Sequence, residues 1–269
     1  MTLLAELQKR IPDGWFLRRL LPAALFVVVA VVGGGQLGQR HWNDLGLARA
    51  RIAAALRTGG SLSDDSLALL VLVAVAVVGL AFAVPFAAAG IGALASGAWP
   101  WWLMPLSRRV TAWRVRRWAP PSEVARESVR ARAAGRELRA DRLDARLART
   151  TDEPGCPTWS GDRLRATETE IRRTTGLDIA GEWTGLLLTV PEVSRAALSE
   201  ARNAYDASCE GLAWSVAVVL LGAWWWPAAP AGVVLWLASR QSLRLAVRTL
   251  CRTTEAICAR QHTGGPPPA

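Results

Sequence analysis

The stretch 66–88, SLALLVLVAVAVVGLAFAVPFAA, decides the fold class of this chain of 269 residues. It belongs to an uncharged run that covers 66–107. About 20 apolar residues in an α-helix suffice to cross a hydrocarbon core of about 30 Å. The stretch therefore predicts a transmembrane helix. The rest of the run is rich in Gly, Pro and Trp and is interpreted as the helix end and an interfacial segment, with a further crossing as the alternative.

A second uncharged run covers 20–39 and fits one crossing. It follows four basic residues in the segment 1–19, which we predict to be a cytoplasmic or interfacial amphipathic segment. Basic residues before an apolar run are typical of a signal-anchor. A cleaved signal peptide is the alternative, but no A-x-A-like cleavage site follows the run.

The third uncharged run, 211–239, contains the sequence WWWPAAP at 224–230. As one straight helix this run is longer than a hydrocarbon core requires, and Pro227 and Pro230 interrupt it near its middle. We therefore predict a short transmembrane hairpin over 211–243, with its turn at 227–230. A single kinked span that leaves the C-terminal tail outside is the alternative.

The distribution of arginine favours the hairpin. The segment 108–149 has thirteen arginines against five acids, and the tail from Arg240 onward has five against one. Arginine-rich flanks of membrane spans are typically cytoplasmic. An even number of crossings between these two segments places both of them inside. The loop 40–65, with four arginines against three acids, is then external.

The fold class predicted is all-α: a polytopic helical membrane protein with an Arg-rich helical cytoplasmic domain. It would cross the cell membrane four times, with the domain at 108–210 and both termini in the cytoplasm. The tail 244–269 is predicted to be cytoplasmic with a disordered end.

The cytoplasmic domain divides by charge, since 151–210 has eleven acids against six arginines. In the basic part we predict one helix over 122–149, capped by Ser122. In the acidic part we predict a helix that Ser160 caps and that ends near Gly176. A further helix is predicted to start at Pro191 and to run unbroken into the membrane arm.

Tryptophan and arginine alternate where the cytoplasmic domain begins, in SRRVTAWRVRRWAPP at 107–121. Arginine pairs with lipid phosphate and tryptophan lies at headgroup level, so we predict contact with the bilayer and its anionic headgroups. Nucleic acid is the alternative ligand for such a composition, and it is not favoured because the segment follows a membrane span. The residues predicted to contact lipid or the interface are Arg108, Arg109, Trp113, Arg114, Arg116, Arg117, Trp118, Trp224, Trp225 and Trp226.

Small residues recur at a spacing of four in the first two apolar runs. Such spacing lets helix backbones approach each other closely, either within one chain or between copies in a homo-oligomer. The residues predicted to take part in helix packing are Gly34, Gly38, Ala88, Gly92 and Ser96.

Residues suited to catalysis are few. The chain has two histidines and no nucleotide-binding, serine hydrolase or zinc protease motif. Its four cysteines have no metal-ligand spacing and are interpreted as reduced structural thiols. The carboxylate pairs Asp141/Asp144 and Glu168/Glu170 lie among arginines. We predict no catalytic residue, no metal, no cofactor and no enzymatic activity.

Three segments carry a resemblance to a known group of proteins: PTWSGDRL, GLDIAGEW and WWWPAAPAGVVLW, in this order. Together they are similar to a family of uncharacterised multi-pass membrane proteins of high-GC Gram-positive bacteria. The resemblance implies a membrane-embedded, all-helical protein over most of the chain, and it implies no reaction.

The function predicted from these features is that of a membrane-anchored scaffold or adaptor. Its cytoplasmic helices would bind a protein partner, another copy or anionic lipid. The alternative is an oligomeric pore-forming or membrane-perturbing effector. Active transport is not favoured, because no Asp, Glu, Lys or His lies inside a predicted span.

Overall fold

A computed structural model of the chain describes residues 13–37, 46, 64–147, 153–176, 178, 181 and 190–263. The regular elements in these residues are helical and none is a strand, so the predicted all-α class is confirmed. In chain order they are α1 (Asp13–Val29, continued by the π-helical Ala30–Leu37), α2 (Asp64–Ser96), a 3-10 turn (Trp101–Leu103), α3 (Met104–Arg117), α4 (Pro121–Ala133), α5 (Glu137–Leu147), α6 (Trp159–Thr175), α7 (Glu192–Leu221) and α8 (Ala228–Thr263).

The chain forms two compact units. The first, here called the apolar unit, comprises Met1–Ile91 and Arg202–Ala246. The second, here called the charged unit, comprises Gly92–Ala201 and Val247–Ala269. Most of the predicted loop 40–65, most of the predicted segment 1–19 and the end of the predicted tail, 264–269, lie outside the described residues.

Two helices are long and apolar enough to cross a membrane, judged by length and composition within the described residues. They are Leu70–Ser96 in α2 and Glu192–Leu221, which is all of α7. The apolar part of α1, Arg19–Gly33, is shorter. Length and composition therefore identify two candidate spans, where the sequence predicts four crossings.

The turn in the third apolar run lies earlier than predicted. Helix α7 ends at Leu221 and α8 begins at Ala228, so the residues 222–227 connect them and Pro230 falls in the first turn of α8. Proline is tolerated there because a first-turn N–H has no partner within the helix. A β-carbon on Gly222 would lie 2.6 Å from that of Ala229, which explains the glycine where α7 ends.

Helices α7 and α8 pack as an antiparallel pair with very close backbones. A β-carbon on Gly232 would lie 2.7 Å from the backbone nitrogen of Val219, and one on Gly211 would lie 2.6 Å from Ser239 Oγ. Farther from the turn, the hydroxyl groups of Ser208 and Ser242 are 2.9 Å apart. Residue numbers thus rise along α7 as they fall along α8, as a helical hairpin requires.

Helix α1 runs parallel to α7 within the apolar unit. The rings of Phe26 and Trp214 have their centroids 5.8 Å apart. Beyond these rings in both segments, a β-carbon on Gly33, in the π-helical continuation of α1, would lie 2.9 Å from the ring of Trp225, in the connection that follows α7. Residue numbers rise together from the first contact to the second, so α1 and α7 run in the same direction.

The charged unit has its own core. Ile171, Val190, Leu198, Ile257 and Cys258 form a buried cluster, with Leu250 packed against it. Three helices, α6, α7 and α8, contribute to this cluster. Helix α7 continues without a break from Glu192 to Leu221, as the sequence predicts for the segment that follows Pro191.

Two predictions for the basic part of the charged unit are wrong. The segment 122–149 is not one helix, because Gly135 adopts a left-handed φ of +70° and separates α4 from α5. Gly135 N–H and Arg136 N–H bond back to Arg132 and Ala131 carbonyls, a Schellman motif that ends α4. Pro120, not Ser122, is the N-cap residue of α4.

Helix α6 has a different cap from the one predicted but the predicted end. Thr158 is the N-cap, and its side chain accepts a hydrogen bond from Gly161 N–H at 3.1 Å. Ser160 instead lies in the first turn and is buried. Gly176 takes the left-handed conformation immediately after the helix, with φ +74°, and ends it as predicted.

Candidate functional site

The candidate site begins where α2 ends. Gly97 has φ +89°, and its N–H and that of Ala98 bond back to Leu94 and Ala93 carbonyls in a Schellman motif. The indole N–H of Trp99 also donates to the Leu94 carbonyl at 3.1 Å. This end is therefore tied to its own last turns, and the chain leaves it in a defined direction toward α3.

The start of α6 packs directly on this helix end. Thr158 Oγ1 donates to the Ala95 carbonyl at 2.7 Å. A β-carbon on Gly161 would lie 3.1 Å from the Ser96 carbonyl and 3.2 Å from Cys156 Cβ, so a side chain there would push the elements apart. This junction therefore explains Thr158 and Gly161 in the segment PTWSGD.

A buried ion pair fixes α3 against the same junction. Arg114 Nη1 lies 2.7 Å from Asp162 Oδ2, and both side chains are largely buried. Arg114 also donates to the Cys156 carbonyl. Asp162 Oδ1 accepts the backbone N–H groups of Gly155 and Cys156, at 2.9 and 2.6 Å. Arg114 and Asp162 thus hold the 155–157 loop between α3 and α6.

The elements joined by these contacts border an open cavity of about 670 Å³. One face of α3 forms its floor, since Met104, Arg108, Thr111 and Val115 recur at three- or four-residue intervals and Arg116 lies beside them. Ser107 and Ala112 belong to the same face. The segment 97–99 and the loop residues Gly155 and Pro157 line its sides, and α6 contributes Arg165.

The cavity is basic and has no acidic lining among the described residues. Arg108, Arg116 and Arg165 make no ion pair within the described part of the chain, whereas Arg114 is neutralised by Asp162. Ser107 supplies a hydroxyl group, while the Thr111 hydroxyl donates to the Ser107 carbonyl at 3.0 Å. Trp99, Met104 and Val115 supply apolar surface. Such a combination suits an anionic ligand with an apolar portion.

The structure distributes the residues predicted to contact lipid among three environments. Arg108 and Arg116 line the cavity. Arg109 is exposed, and Arg117 stacks over the half-exposed Trp113 ring with its Cζ 4.3 Å from the centroid. Arg114 instead has the internal structural partners described above. Trp118 is half-buried at the end of α3, where its backbone N–H bonds to the Val115 carbonyl.

The three tryptophans of the hairpin turn also differ. Trp224 and Trp226 are exposed, while Trp225 is half-buried against Gly33. In the segment that follows α2, Trp101 and Trp102 are exposed by 84% and 62%. Both connections therefore present indole rings to the surroundings.

The small residues predicted for helix packing are only partly described. Ala88 is buried, and Gly92 and Ser96 are half-buried near the end of α2, where the Ser96 carbonyl faces Gly161. Gly34 lies in the π-helical continuation of α1. Gly38 lies outside the described residues.

The cysteines are buried and unpaired. Burial raises the pKa values of the Cys156, Cys251 and Cys258 thiols. A protonated, buried thiol is a poor nucleophile, so the geometry agrees with structural thiols. No cluster suited to a metal ion occurs in the described parts of the chain.

The carboxylate pairs considered for catalysis have arginine partners. Asp144 lies 2.7 Å from Arg132, and Glu170 lies 2.9 Å from Arg173. Glu168 lies 3.2 Å from Arg172, and Asp141 lies 4.0 Å from Arg132. These pairs lie at the surface of helices, and none of them lines the cavity.

Sequence reasoning missed Asp162, Thr158 and Arg165, which lie more than forty positions from α3 along the chain. One local signal was present, since Thr is a preferred N-cap and an acid suits the first turn of a helix. The loop that Asp162 binds has no such signal.

No family model, no curated protein and no solved structure matches the chain.

Proposed function

We propose that the protein is a non-enzymatic integral membrane protein that holds an Arg-rich helical domain at the cytoplasmic face of the cell membrane, as a scaffold or adaptor. The observation that carries the proposal is the exposure of α2. Only 11% of the apolar window in Leu70–Ser96 is buried inside the structure. The core helix of a water-soluble protein has most of its apolar side chains buried, so α2 needs an apolar medium around it.

The helix directions within the apolar unit support the proposed topology. Because α1 and α7 are parallel, they cross the membrane in the same sense if both enter it. The start of α7 then lies on the same side as the start of α1, and α8 returns to that side. Four crossings with both termini in the cytoplasm satisfy this arrangement and the arginine distribution.

The proposed scaffold role rests on the charged unit. It has its own buried core, and α4 and α5 expose alternating acids and arginines that pair with each other. A folded helical domain that follows a membrane span is suited to bind lipid headgroups, another copy or a protein partner. The alternative remains an oligomeric pore.

Membrane retention tests the anchoring directly. The double variant Val78→Arg/Phe86→Arg places two charges on exposed positions of α2. Each charge near the centre of a span costs about 2.5–3.5 kcal/mol on insertion scales, so we expect the carbonate-resistant membrane fraction to fall strongly. The matched control Val129→Arg/Leu138→Arg changes two exposed apolar positions of α4 and α5 and should leave retention unchanged. Equal retention of both variants would contradict the anchoring.

Topology is tested by labelling with a membrane-impermeant maleimide. The four native thiols are buried and should react slowly. New cysteines at the exposed positions Leu138 and Ala256 should react only after the cells are opened. Labelling of Ala256→Cys in intact cells would show that the C-terminal tail lies outside.

Vesicle leakage separates the scaffold from the pore. Liposomes that contain the full chain at high density should retain a small dye if the protein is a scaffold. Dye release that rises steeply with protein density would favour the oligomeric pore instead.

A further inference from the structure

We propose that the cavity between α3, α6 and the 97–99 segment is a binding site for the phosphate-bearing headgroup of an anionic glycerophospholipid. This inference rests on the membrane anchoring proposed above, since the bilayer supplies the ligand. It goes beyond general attraction of a basic surface to lipid, because it assigns the contact to one open cavity with defined lining residues.

Charge selects the class of ligand. Three arginines, Arg108, Arg116 and Arg165, line one cavity without an acidic side chain among its described lining residues. Like charges in one cavity repel each other, and an anion relieves that repulsion while it accepts charge-assisted hydrogen bonds. Phosphate oxygens match the planar donor fork of arginine.

The carboxylate of Asp162 lies near the cavity but does not repel an anion there. Asp162 lies beside the cavity wall, but Arg114 pairs with it and two backbone N–H groups of the 155–157 loop donate to it. Its negative charge is therefore compensated within the wall. The arginines that line the cavity keep their charge for a ligand.

Size and apolar lining favour a lipid headgroup over a free phosphate ion. The cavity of about 670 Å³ falls within the range of about 300–1,000 Å³ that is common for sites of organic ligands. Trp99, Met104 and Val115 offer apolar surface to the glycerol and the first acyl carbons. An inorganic phosphate ion would leave most of this surface without a partner.

The position of the cavity along the chain agrees with a lipid ligand. Its wall at Gly97 immediately follows the last residue of α2, which is the candidate span with the most exposed apolar surface. Trp101 and Trp102 follow at once and are exposed. Indole rings prefer the level of the headgroups, which is where a lipid phosphate lies.

The test uses the full chain in a neutral detergent and measures its melting temperature against the concentration of added ligand. Dioctanoyl phosphatidylglycerol, dioctanoyl phosphatidylcholine and inorganic phosphate are the three ligands. We expect saturable stabilisation by phosphatidylglycerol, and much weaker effects of the other two. Equal stabilisation by inorganic phosphate would contradict the proposal that the ligand is a lipid. Equal stabilisation by phosphatidylcholine would contradict the proposal that the ligand must be an anion.

Paired variants separate the cavity from the general basic surface. Arg108→Gln and Arg165→Gln should each weaken phosphatidylglycerol binding about tenfold or more, because each removes a charge-assisted contact. Arg109→Gln makes the same charge change at the neighbouring position, outside the cavity, and should change the apparent Kd less than about twofold. Equal losses in all three variants would show that binding is diffuse and would overturn the site.

Melting temperatures without ligand show that each variant is folded. The result is also independent of the membrane retention experiment, since the short-chain lipid is added to protein already in detergent. Retention without specific lipid binding would leave the proposed anchoring intact and reject only the site.

Discussion

Two helical hairpins in the described part of the chain, α7–α8 and α4–α5, are held together by different interactions. The hairpin α7–α8 has backbones in close approach at Gly211, Gly222 and Gly232. Its described residues 211–243 contain a single charged side chain, Arg240, which stacks on Trp236 with its Cζ 5.3 Å from the ring centroid. Close packing between small residues thus replaces electrostatic pairing in this hairpin.

The hairpin α4–α5 joins its two helices through charged groups. Arg132 pairs with Asp144, and Arg139 pairs with Glu127, both at 2.7 Å. Ser128 donates a further hydrogen bond to Asp144. A β-carbon on Gly135, at the turn, would meet no atom within 4 Å, so the helices make no close approach at that glycine.

The difference indicates two surroundings. Exposed ion pairs are inexpensive in water, where each contributes about 0–1 kcal/mol, but buried charges are costly in hydrocarbon. Backbone approach through small residues is the usual means of helix association in lipid, where the hydrophobic effect gives no driving force between helices. The small-residue packing of α7–α8 agrees with the proposed membrane anchoring, and the exposed ion pairs of α4–α5 suit water.

The largest effect is expected at Gly232 in the apolar hairpin. In Gly232→Ala, the new methyl group would lie 2.6 Å from Val219 Cγ2 and 2.7 Å from its backbone nitrogen. Backbone cannot rotate aside, so we expect a loss of about 1–3 kcal/mol or more in the free energy of unfolding. Thermal unfolding of the full chain in detergent, followed by circular dichroism, measures it.

The matched control lies in α2, where a β-carbon on Gly79 would meet nothing within 4 Å. Gly79→Ala should be neutral or should stabilise the helix by about 0.5–1 kcal/mol, because alanine loses less backbone entropy. A similar destabilisation by both variants would mean that the cost at Gly232 is not the close approach of α8 to α7.

The sequence predicted only one of the two connections, the one between α7 and α8, because the segment that contains the α4–α5 connection was predicted to be one helix. Pro227 and Pro230 correctly indicated a turn in the third apolar run, but proline also suits the start of a helix, and the turn lies at 222–227. Gly135 was overlooked because the arginine-rich pattern around it continues on both sides. Its left-handed conformation belongs to the Schellman motif that ends α4, and a glycine at that position is a local sign of a helix end.

Only part of the candidate site could be predicted from the sequence. Arg108 and Arg116 were recognised from their sequence beside tryptophans, because a basic aromatic segment after a span is a local pattern. Arg165 and the buried Arg114–Asp162 pair were not, since an ion pair between distant segments leaves no local pattern. Sequence reasoning thus found the basic helix but not the loop and second helix that enclose a cavity beside it.

A smaller effect is expected at Gly135 in the charged hairpin. Gly135→Ala has space for its methyl group, so its only cost is the left-handed conformation at φ +70°, about 1–2 kcal/mol. Faster amide exchange over α4 and α5 would reveal it. Gly135→Asn should exchange more slowly than Gly135→Ala, because asparagine tolerates this conformation better. Equal exchange in the two variants would contradict a conformational cause.

The smallest effect concerns the carboxyl group of Asp144. The hydrogen bond from Ser128 and the neighbouring Arg132 hold the pKa of Asp144 below its ordinary value. Because the folded pKa is lowered, the stability that Asp144 contributes is present above its unfolded pKa of about 3.9 and is lost as the pH falls through the lower folded value. Ser128→Ala should move this pKa upward, toward the ordinary value.

Carbon-13 NMR titration of the side-chain carboxyl groups measures that shift. Glu170 is the internal reference, since Arg173 lowers its pKa and Ser128 has no part in it. A shift shared by both carboxyls would point to a global change instead of the lost hydrogen bond.

The apolar hairpin has no Asp or Glu between 211 and 243, so the packing of α7 on α8 should not change over the same pH range. A hairpin α7–α8 that loosened along with α4–α5 in acid would show that close packing and charge pairing do not act separately in this chain.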